Sequence, residues 1–399
     1  PDTFGNLGNL GLLDLSGNSL RTLPESFGNL QNLRWLILRS NQLNTLPTGI
    51  GNLSNLIFLD LSYNNLTALP AAIDNLTGLE RLQLDNNQLQ SVPAAIGNLS
   101  TLNTLELNAN QLTFLPPEIG KLTKLTVLKL ARNQLVELPA EIGNLTALLD
   151  IQLYANQLTG LPDTIEQLDA IPTLELQGNH FAAYPAAING MANLETVWLN
   201  DNDLQFLPVD LTLPPKLTRL ALTENRELTG PIPQSFTQLT AFEAFYTDLC
   251  ADDDAEFQQW LDEATGGDSG YLQPCPALQV DVTEGAPGSQ FTLVGVHFGT
   301  CCITWTVTVT VNSEVLGTFL AVNGAPFTAT LTTSDTVEGH YIVSAAYGLP
   351  GWTYGYAPQI TLAIAADAPL NSPTPVPLQF ALPPTSIYQE FIYLPLLAR

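Results

Sequence analysis

The chain has 399 residues, 45% of them apolar, which is enough for two or three domains with their own cores. Its net charge of −26 repels phosphate backbones and disfavours nucleic acid as a partner. No apolar run reaches the roughly 18 residues that a membrane span needs.

The acidity is uneven. Residues 227–399 hold 17 acidic residues and one base, Arg399, so that stretch carries −16 and the remainder −10. With no Lys or Arg from 227 to 398, trypsin-like proteases have almost nothing to cut there, which suits an extracellular life; acidic drift for solubility is the plainer explanation. The chain opens on Pro1, and its single methionine is Met191, so a processed or trimmed form is expected.

Taken in order, Pro1-Asp2-Thr3-Phe4-Gly5-Asn6-Leu7 matches Pro24-Glu25-Ser26-Phe27-Gly28-Asn29-Leu30, a step of 23 residues. The chain thus begins inside a repeat with no polar cap ahead of it, and upstream residues or another surface are expected to cover that end. The spelling L-x-x-L-x-L-x-x-N-x-L, seen in Leu33, Leu36, Leu38, Asn41 and Leu43, returns at the same step. Its asparagines are Asn18, Asn41, Asn64, Asn87, Asn110, Asn133, Asn156, Asn179, Asn202 and Asn225. A fixed period of this length means stacked turns, each burying its apolar edge on the next. L-x-L reads as a short strand with both leucines inward. The asparagine turns the chain and can bond backbone groups of neighbouring turns.

The other half of each repeat reads L-P-x-x-I-x-N-L, as at Leu46, Pro47, Ile50, Asn52 and Leu53. Proline forbids a central strand there and favours a 3₁₀ or helical turn. Ile50, Ile73, Ile96, Ile119, Ile142, Ile165 and Ile188 form an inward column. The sequons at Asn52, Asn65, Asn75, Asn98 and Asn144 fall mostly out of the repeated lettering and read as structural.

This spelling resembles the leucine-rich repeat family over about residues 1–249. The resemblance implies an α/β solenoid with a parallel β-sheet on the concave face, short 3₁₀ or helical turns on the convex face, and binding on the concave strands. One outward column there runs Asp14, Ile37, Asp60, Gln83, Glu106, Lys129, Gln152, Glu175, Trp198, Ala221, with neighbours about 4.8 Å apart. Trp35 and Phe58 share a second column beside Ile37 and Tyr63, an exposed aromatic patch suited to a protein hot spot. A sugar platform is the other use, if carboxylates such as Asp60 and Asp85 assist. An ordinary half-buried strand surface that favours aromatics is the structural alternative. Lys129 and Arg132 sit together on an otherwise acidic face.

At 228–233 the lettering becomes L-T-G-P-I-P, similar to plant-type repeats, and a change of local curvature is expected. The eleventh turn, around 242–249, is degraded. Residues 250–275 look like a C-terminal leucine-rich repeat cap: Phe257, Trp260 and Leu261 at i, i+3 and i+4 give a short helix an apolar face, with acids in its first turn. The run Asp252-Asp253-Asp254 lacks a recognised calcium spacing.

Four cysteines, Cys250, Cys275, Cys301 and Cys302, cluster after the repeats, which favours disulfides and an oxidising compartment over a zinc site. Within the cap resemblance Cys250–Cys275 is the preferred bond. Cys301 and Cys302 then pair vicinally or between chains, and cross-junction bonds to the solenoid are the other arrangement.

From 276 to 365 the period of 23 gives way to strict alternation, as in 290–296 and 304–311. About seven short strands predict an all-β sandwich. P-G-x-x-F-T-L-x-G-x-x-F from Pro287, with E-G-H-Y-I-V at 338–343, resembles Ig-like modules of bacterial surface proteins. Residues 366–399 form a Pro-rich extended linker and an apolar end in which Phe391, Ile392, Tyr393, Leu394, Leu396 and Leu397 are expected to dock as a strand. Its Y-L-P-L resembles short terminal tags of bacterial secreted proteins.

Catalysis has little support. His180, His297 and His340 lack a triad context, no phosphate-cradling glycine loop occurs, and no cofactor or metal is expected. Two non-catalytic readings remain for an extracellular or cell-surface protein. In the first it is a self-assembling subunit of a filament or surface layer, joined to copies of itself through solenoid ends and the C-terminal strand. In the second it is a monomeric adhesin or receptor-like protein that grips a protein or surface glycan on the concave face.

Overall fold

The computed structural model describes residues 7–208, 210–251, 254–269 and 272 in full, and beyond them the backbone of the strands named below. Ten three-residue strands recur at the expected step: β1 (Leu12–Asp14), β2 (Trp35–Ile37), β3 (Phe58–Asp60), β4 (Arg81–Gln83), β5 (Thr104–Glu106), β6 (Val127–Lys129), β7 (Asp150–Gln152), β8 (Thr173–Glu175), β9 (Thr196–Trp198) and β10 (Arg219–Ala221). After β11 (Thr229–Pro231) comes β12 (Ala241–Glu243), which pairs with β10 and completes an eleven-stranded parallel sheet. The degraded eleventh turn therefore still supplies a strand.

Pairing is one-to-one, so each column of the sequence is a physical row: Leu12, Trp35, Phe58 and Arg81 are successive partners. The middle residue of each strand points into the core. Leu36, Leu59, Leu82, Leu105, Leu128 and Leu174 are fully buried, as are the seven isoleucines of the other side.

The register weakens once. Between β7 and β8 only Gln152 and Glu175 remain paired. Elsewhere the residue ahead of each strand donates its N–H to the preceding turn, as Leu149 does to Thr126 O at 2.9 Å. Its counterpart one repeat on is Pro172, which has no N–H to give.

On the side away from the sheet, a proline precedes each of nine 3₁₀ turns among the described residues. Its fixed φ sets the chain for the turn, and its carbonyl accepts the first bond, as from Ile50 N to Pro47 O at 3.1 Å. Glycine stands inside several of these turns because the next turn comes very close. A Cβ on Gly120 would lie 2.5 Å from Glu141 O.

The asparagines do what their position requires. From Asn41 to Asn225 all nine are buried. Asn64 shows the pattern: its Nδ2 donates to Leu38 O of the previous turn and Leu61 O of its own, both at 3.0 Å, and its Oδ1 accepts from Leu43 N at 3.0 Å. Asn18 is exposed and bonds only within its own turn. In the turn after Asn225, Thr247 takes the place, donating to Ala244 O at 2.7 Å.

The residue just before each of these asparagines has a left-handed backbone. Gly17 and Gly178 suit it best and Asn86 and Asp201 tolerate it, while Ser40, Tyr63, Ala109, Arg132, Ala155 and Glu224 also hold it, all eight non-glycine residues having φ between 53° and 63°. Such a conformation costs roughly 1–2 kcal/mol for a residue with a side chain. It is kept because its N–H bonds the next turn, as Tyr63 N does to Asp85 O at 2.8 Å.

Helix α1 (Ala255–Ala264) begins at Asp254, whose Oδ1 accepts from Glu256 N and Phe257 N, both at 3.0 Å. Its expected apolar face is present. Phe257 and Leu261 are buried, and Trp260 stacks on Phe242 at 6.3 Å while its Nε1 donates to Leu239 O at 2.8 Å. The 228–233 stretch opens a separate three-stranded parallel sheet, in which β11 pairs with β13 (Asp248–Ala251) and β13 with β14 (Gln273–Pro274).

Contacts divide the chain into two compact units: 1–228 with 233–247 and 259–269, and 229–232 with 248–258 and 270–399. In the second unit, β15 (Ala277–Val280), β17 (Gln290–Val296) and β20 (Phe327–Thr332) form one sheet. A second sheet joins β16 (Glu284–Gly285), β22 (Gln359–Ile364), β21 (Gly339–Gly348), β18 (Thr304–Val311) and β19 (Glu314–Val322), in that order. The side-chain packing that would make this an Ig-like sandwich lies outside the described residues. So do Cys275, Cys301, Cys302 and the whole of 366–399.

Candidate functional site: the open face of the sheet

The outer residues of each strand stand on the open face, and two groups of side chains gather there. The first lies on β2–β4. Trp35 is 46% exposed and Tyr63 47%, in a fold whose other large apolar side chains are mostly interior. The Trp35 and Phe58 rings are 5.2 Å apart and tilted by 52°, a contact worth about 0.5–1.5 kcal/mol that holds Trp35 in place before any partner arrives. Arg39 lies over the Tyr63 ring at 4.5 Å and donates to Ser62 Oγ at 3.3 Å. Arg81 extends the same row, in register with Phe58. Ile37 is half-buried beside them.

Asp60 does not join this group. It is only 5% exposed, and its Oδ1 accepts from both the backbone N and the hydroxyl of Ser62. A carboxylate so engaged shapes the strand end and is not presented to a sugar or a protein.

The second group crosses β4–β8. Glu106 pairs with Lys129 at 3.3 Å. Asp85, beside Glu106, is pushed up to about 7 by burial and by the neighbouring Glu106 carboxylate, against the pull of Asn108 N (2.7 Å) and of Lys129. Asp150 is raised by burial, with the Glu106 charge adding and Lys129 opposing. Glu175 is raised by burial and then by Asp150. Lys129 is thus the cation inside a carboxylate cluster. Among the described residues no group of three or more His, Cys, Asp or Glu is arranged to hold a metal ion.

Arg132 is exposed at a left-handed position. Trp198 is half-buried with Arg219 at 6.0 Å from its ring. Sequence reasoning brought together Trp35, Phe58 and Tyr63 but missed Arg39 and Arg81, and it missed that Asp150 interacts with Glu106 and Lys129, and Glu175 with Asp150. The signal for the arginines was there: Arg81 is the next member of the Trp35–Phe58 row.

A parallel sheet one short strand deep, backed by 3₁₀ turns and stitched by asparagines, defines a repeat solenoid with an open sheet face. The family model for a leucine-rich repeat region matches residues 1–110 and 94–177. A leucine-rich repeat protein of Leptospira interrogans is 33% identical over 67% of this chain and 73% of its own, with a TM-score of 0.54. The chain belongs to the leucine-rich repeat family. The functional domain of InlJ from Listeria monocytogenes, described as including a cysteine ladder, shares the fold at 15% identity over 91% of this chain and 82% of its own, TM-score 0.53. TLR13, in its complex with ssRNA13, shares it at 22% identity over 62% of this chain and 40% of its own, TM-score 0.53. No curated protein matches the chain. In this chain the ladder is asparagine.

Among the described residues no helix is long and apolar enough to cross a membrane.

Proposed function

We propose that this chain is a non-catalytic, extracellular binding protein that engages a protein partner through Trp35, Phe58, Tyr63, Arg39 and Arg81 on its open sheet face. The leucine-rich repeat fold serves protein–protein contact, and within it this patch has the composition of a hot spot: ordered aromatics with guanidinium groups beside them. The single observation that carries the reading is Trp35, a large apolar side chain held half-exposed by Phe58 rather than folded inward. An extracellular setting is supported by the near-absence of Lys and Arg after residue 226. The filament reading joins copies through the solenoid ends and the C-terminal strand, and of these the apolar end at 391–397 lies outside the described residues. Glycan binding is weakened by the engagement of Asp60.

The test places a photo-crosslinking amino acid at Tyr63, and separately at Gly160, whose surroundings are open. The full chain is then illuminated in the extracellular material of its source. Adducts from position 63 that disappear when Trp35→Ala and Phe58→Ala are added support the reading. Equal yields from both positions, or none at 63, defeat it.

A further inference from the structure

The patch on β2–β4 is cationic in a chain of net charge −26. The cation–carboxylate contacts among the described residues are Lys129–Glu106, Arg226–Glu224 and the His180–Asp203 hydrogen bond, so Arg39 and Arg81 have no carboxylate of their own. The nearby acids are otherwise occupied: Asp60 by Ser62, and Asp85 by Asn108 N and its neighbour Glu106.

The far end of the repeats shows the converse. Asp262 and Glu263 stand exposed in the last turn of α1, with no basic residue in that turn, and Asp268 is exposed just beyond it. A helix C-terminus carries partial negative charge, so acids there are unfavourable and cations are favoured, by about 0.3–1 kcal/mol each. Their bonds are to neutral groups, from Gln259 Nε2 to Glu263 at 3.0 Å and from Ser269 to Asp262. From 227 to 398 the sequence contains no Lys or Arg that could compensate them.

We infer that the Arg39–Arg81 aromatic patch of one copy docks the acidic end of α1, at Asp262, Glu263 and Asp268, of a second copy. This rests on the reading of the patch as a binding surface and names its occupant. Two surfaces at opposite ends of the repeat array, each with unneutralised charge of opposite sign, are complementary between copies. The contact joins unlike surfaces. It propagates as a chain if the rotation does not close and gives a reciprocal dimer if it does. The overall negative charge does not forbid it, because repulsion beyond about 8 Å is screened at physiological salt while contacting pairs are screened less.

The experiment is sedimentation velocity of the full, unreduced chain at about 150 mM (low) and about 500 mM (high) salt. Association is expected at low salt and is weakened by high salt. Arg39→Glu with Arg81→Glu, and separately Asp262→Lys with Glu263→Lys, each weaken it by about tenfold or more, and mixing the two variants restores a heterotypic complex. Far-UV circular dichroism checks the fold. Should a reversal misfold, Arg39→Gln with Arg81→Gln and Asp262→Asn with Glu263→Gln are read the same way.

A chain that is monomeric at low salt, or association untouched by either reversal, overturns the inference. So does failure of the mixed variants to pair. Crosslinks from position 63 to a different protein, with no self-association, would leave the binding surface standing and remove only the second copy. Loss of all crosslinks at 63 would remove the surface itself.

Discussion

The asparagine ladder can be tested bond by bond at Asn133. Its Nδ2 donates to Leu107 O at 2.9 Å and Leu130 O at 3.0 Å, and its Oδ1 accepts from Leu112 N at 3.0 Å. The two carbonyls are shared: Leu107 O also receives Asn110 Nδ2 at 3.1 Å, and Leu130 O receives Asn156 Nδ2 at 3.0 Å. Asn133→Ala therefore leaves each carbonyl with a remaining donor but strands the Leu112 N–H. One buried orphan donor costs about 1–3 kcal/mol and each lost half-satisfied bond about 0.5–1.5 kcal/mol, so a loss of about 3–4 kcal/mol is expected. Asn18 is the control. It is exposed and donates only to Leu15 O and Ser16 O of its own turn, so Asn18→Ala costs less than about 1 kcal/mol. Urea unfolding followed by far-UV circular dichroism measures both, and hydrogen exchange at the Leu112 amide reports the orphan directly. Equal destabilisation by the two substitutions, or an unchanged Leu112 exchange rate in Asn133→Ala, would refute the reasoning.

The glycines of the 3₁₀ side give a second contrast. Gly120→Ala drives a Cβ to 2.5 Å from Glu141 O, whereas Gly160 has nothing within 4 Å. Thermal unfolding should show a loss of about 1–3 kcal/mol for the first and a change within about 0.5 kcal/mol for the second. The open-face carboxylates predict a pH effect of definite sign. Asp85 sits at about 7 in the fold, above its unfolded value near 3.9, so its contribution is full below about 4 and is lost as pH rises through 7. Allowing for solvent screening of a partly exposed group, about 1–2 kcal/mol is lost between pH 4 and 8. Asp85→Asn should remove that slope and be the more stable form at pH 8, with its Oδ1 still able to accept from Asn108 N. Denaturant midpoints across that range decide it, and a variant that keeps the wild-type slope shows that another group carries the proton.

How far the fold was legible follows from what repeats and what does not. Ladder, core columns and 3₁₀ turns recur every 23 residues, and each recurrence reports the same physical demand: a buried acceptor to satisfy, a close approach, a proline that cannot pair. The eleventh strand was hidden because the step falls to 22 between Arg219 and Ala241. The exclusion of Asp60 was hidden because its column also holds Ile37 and Lys129, which face outward. The serine two residues on does not by itself withdraw a carboxylate, since Asp14 accepts the same bond from Ser16 N and stays exposed, whereas Asp60 is buried in the sheet with Ser62. The carboxylate cluster runs diagonally: Glu106 and Glu175 share one column while Asp85 and Asp150 lie in two others, so columns read singly divide it. The arginines teach the converse lesson. A net charge summed over the chain describes long-range repulsion, yet a contact is decided within a few ångströms. On that scale the member of the row next to Phe58 is Arg81, a cation with no ion pair among the described residues.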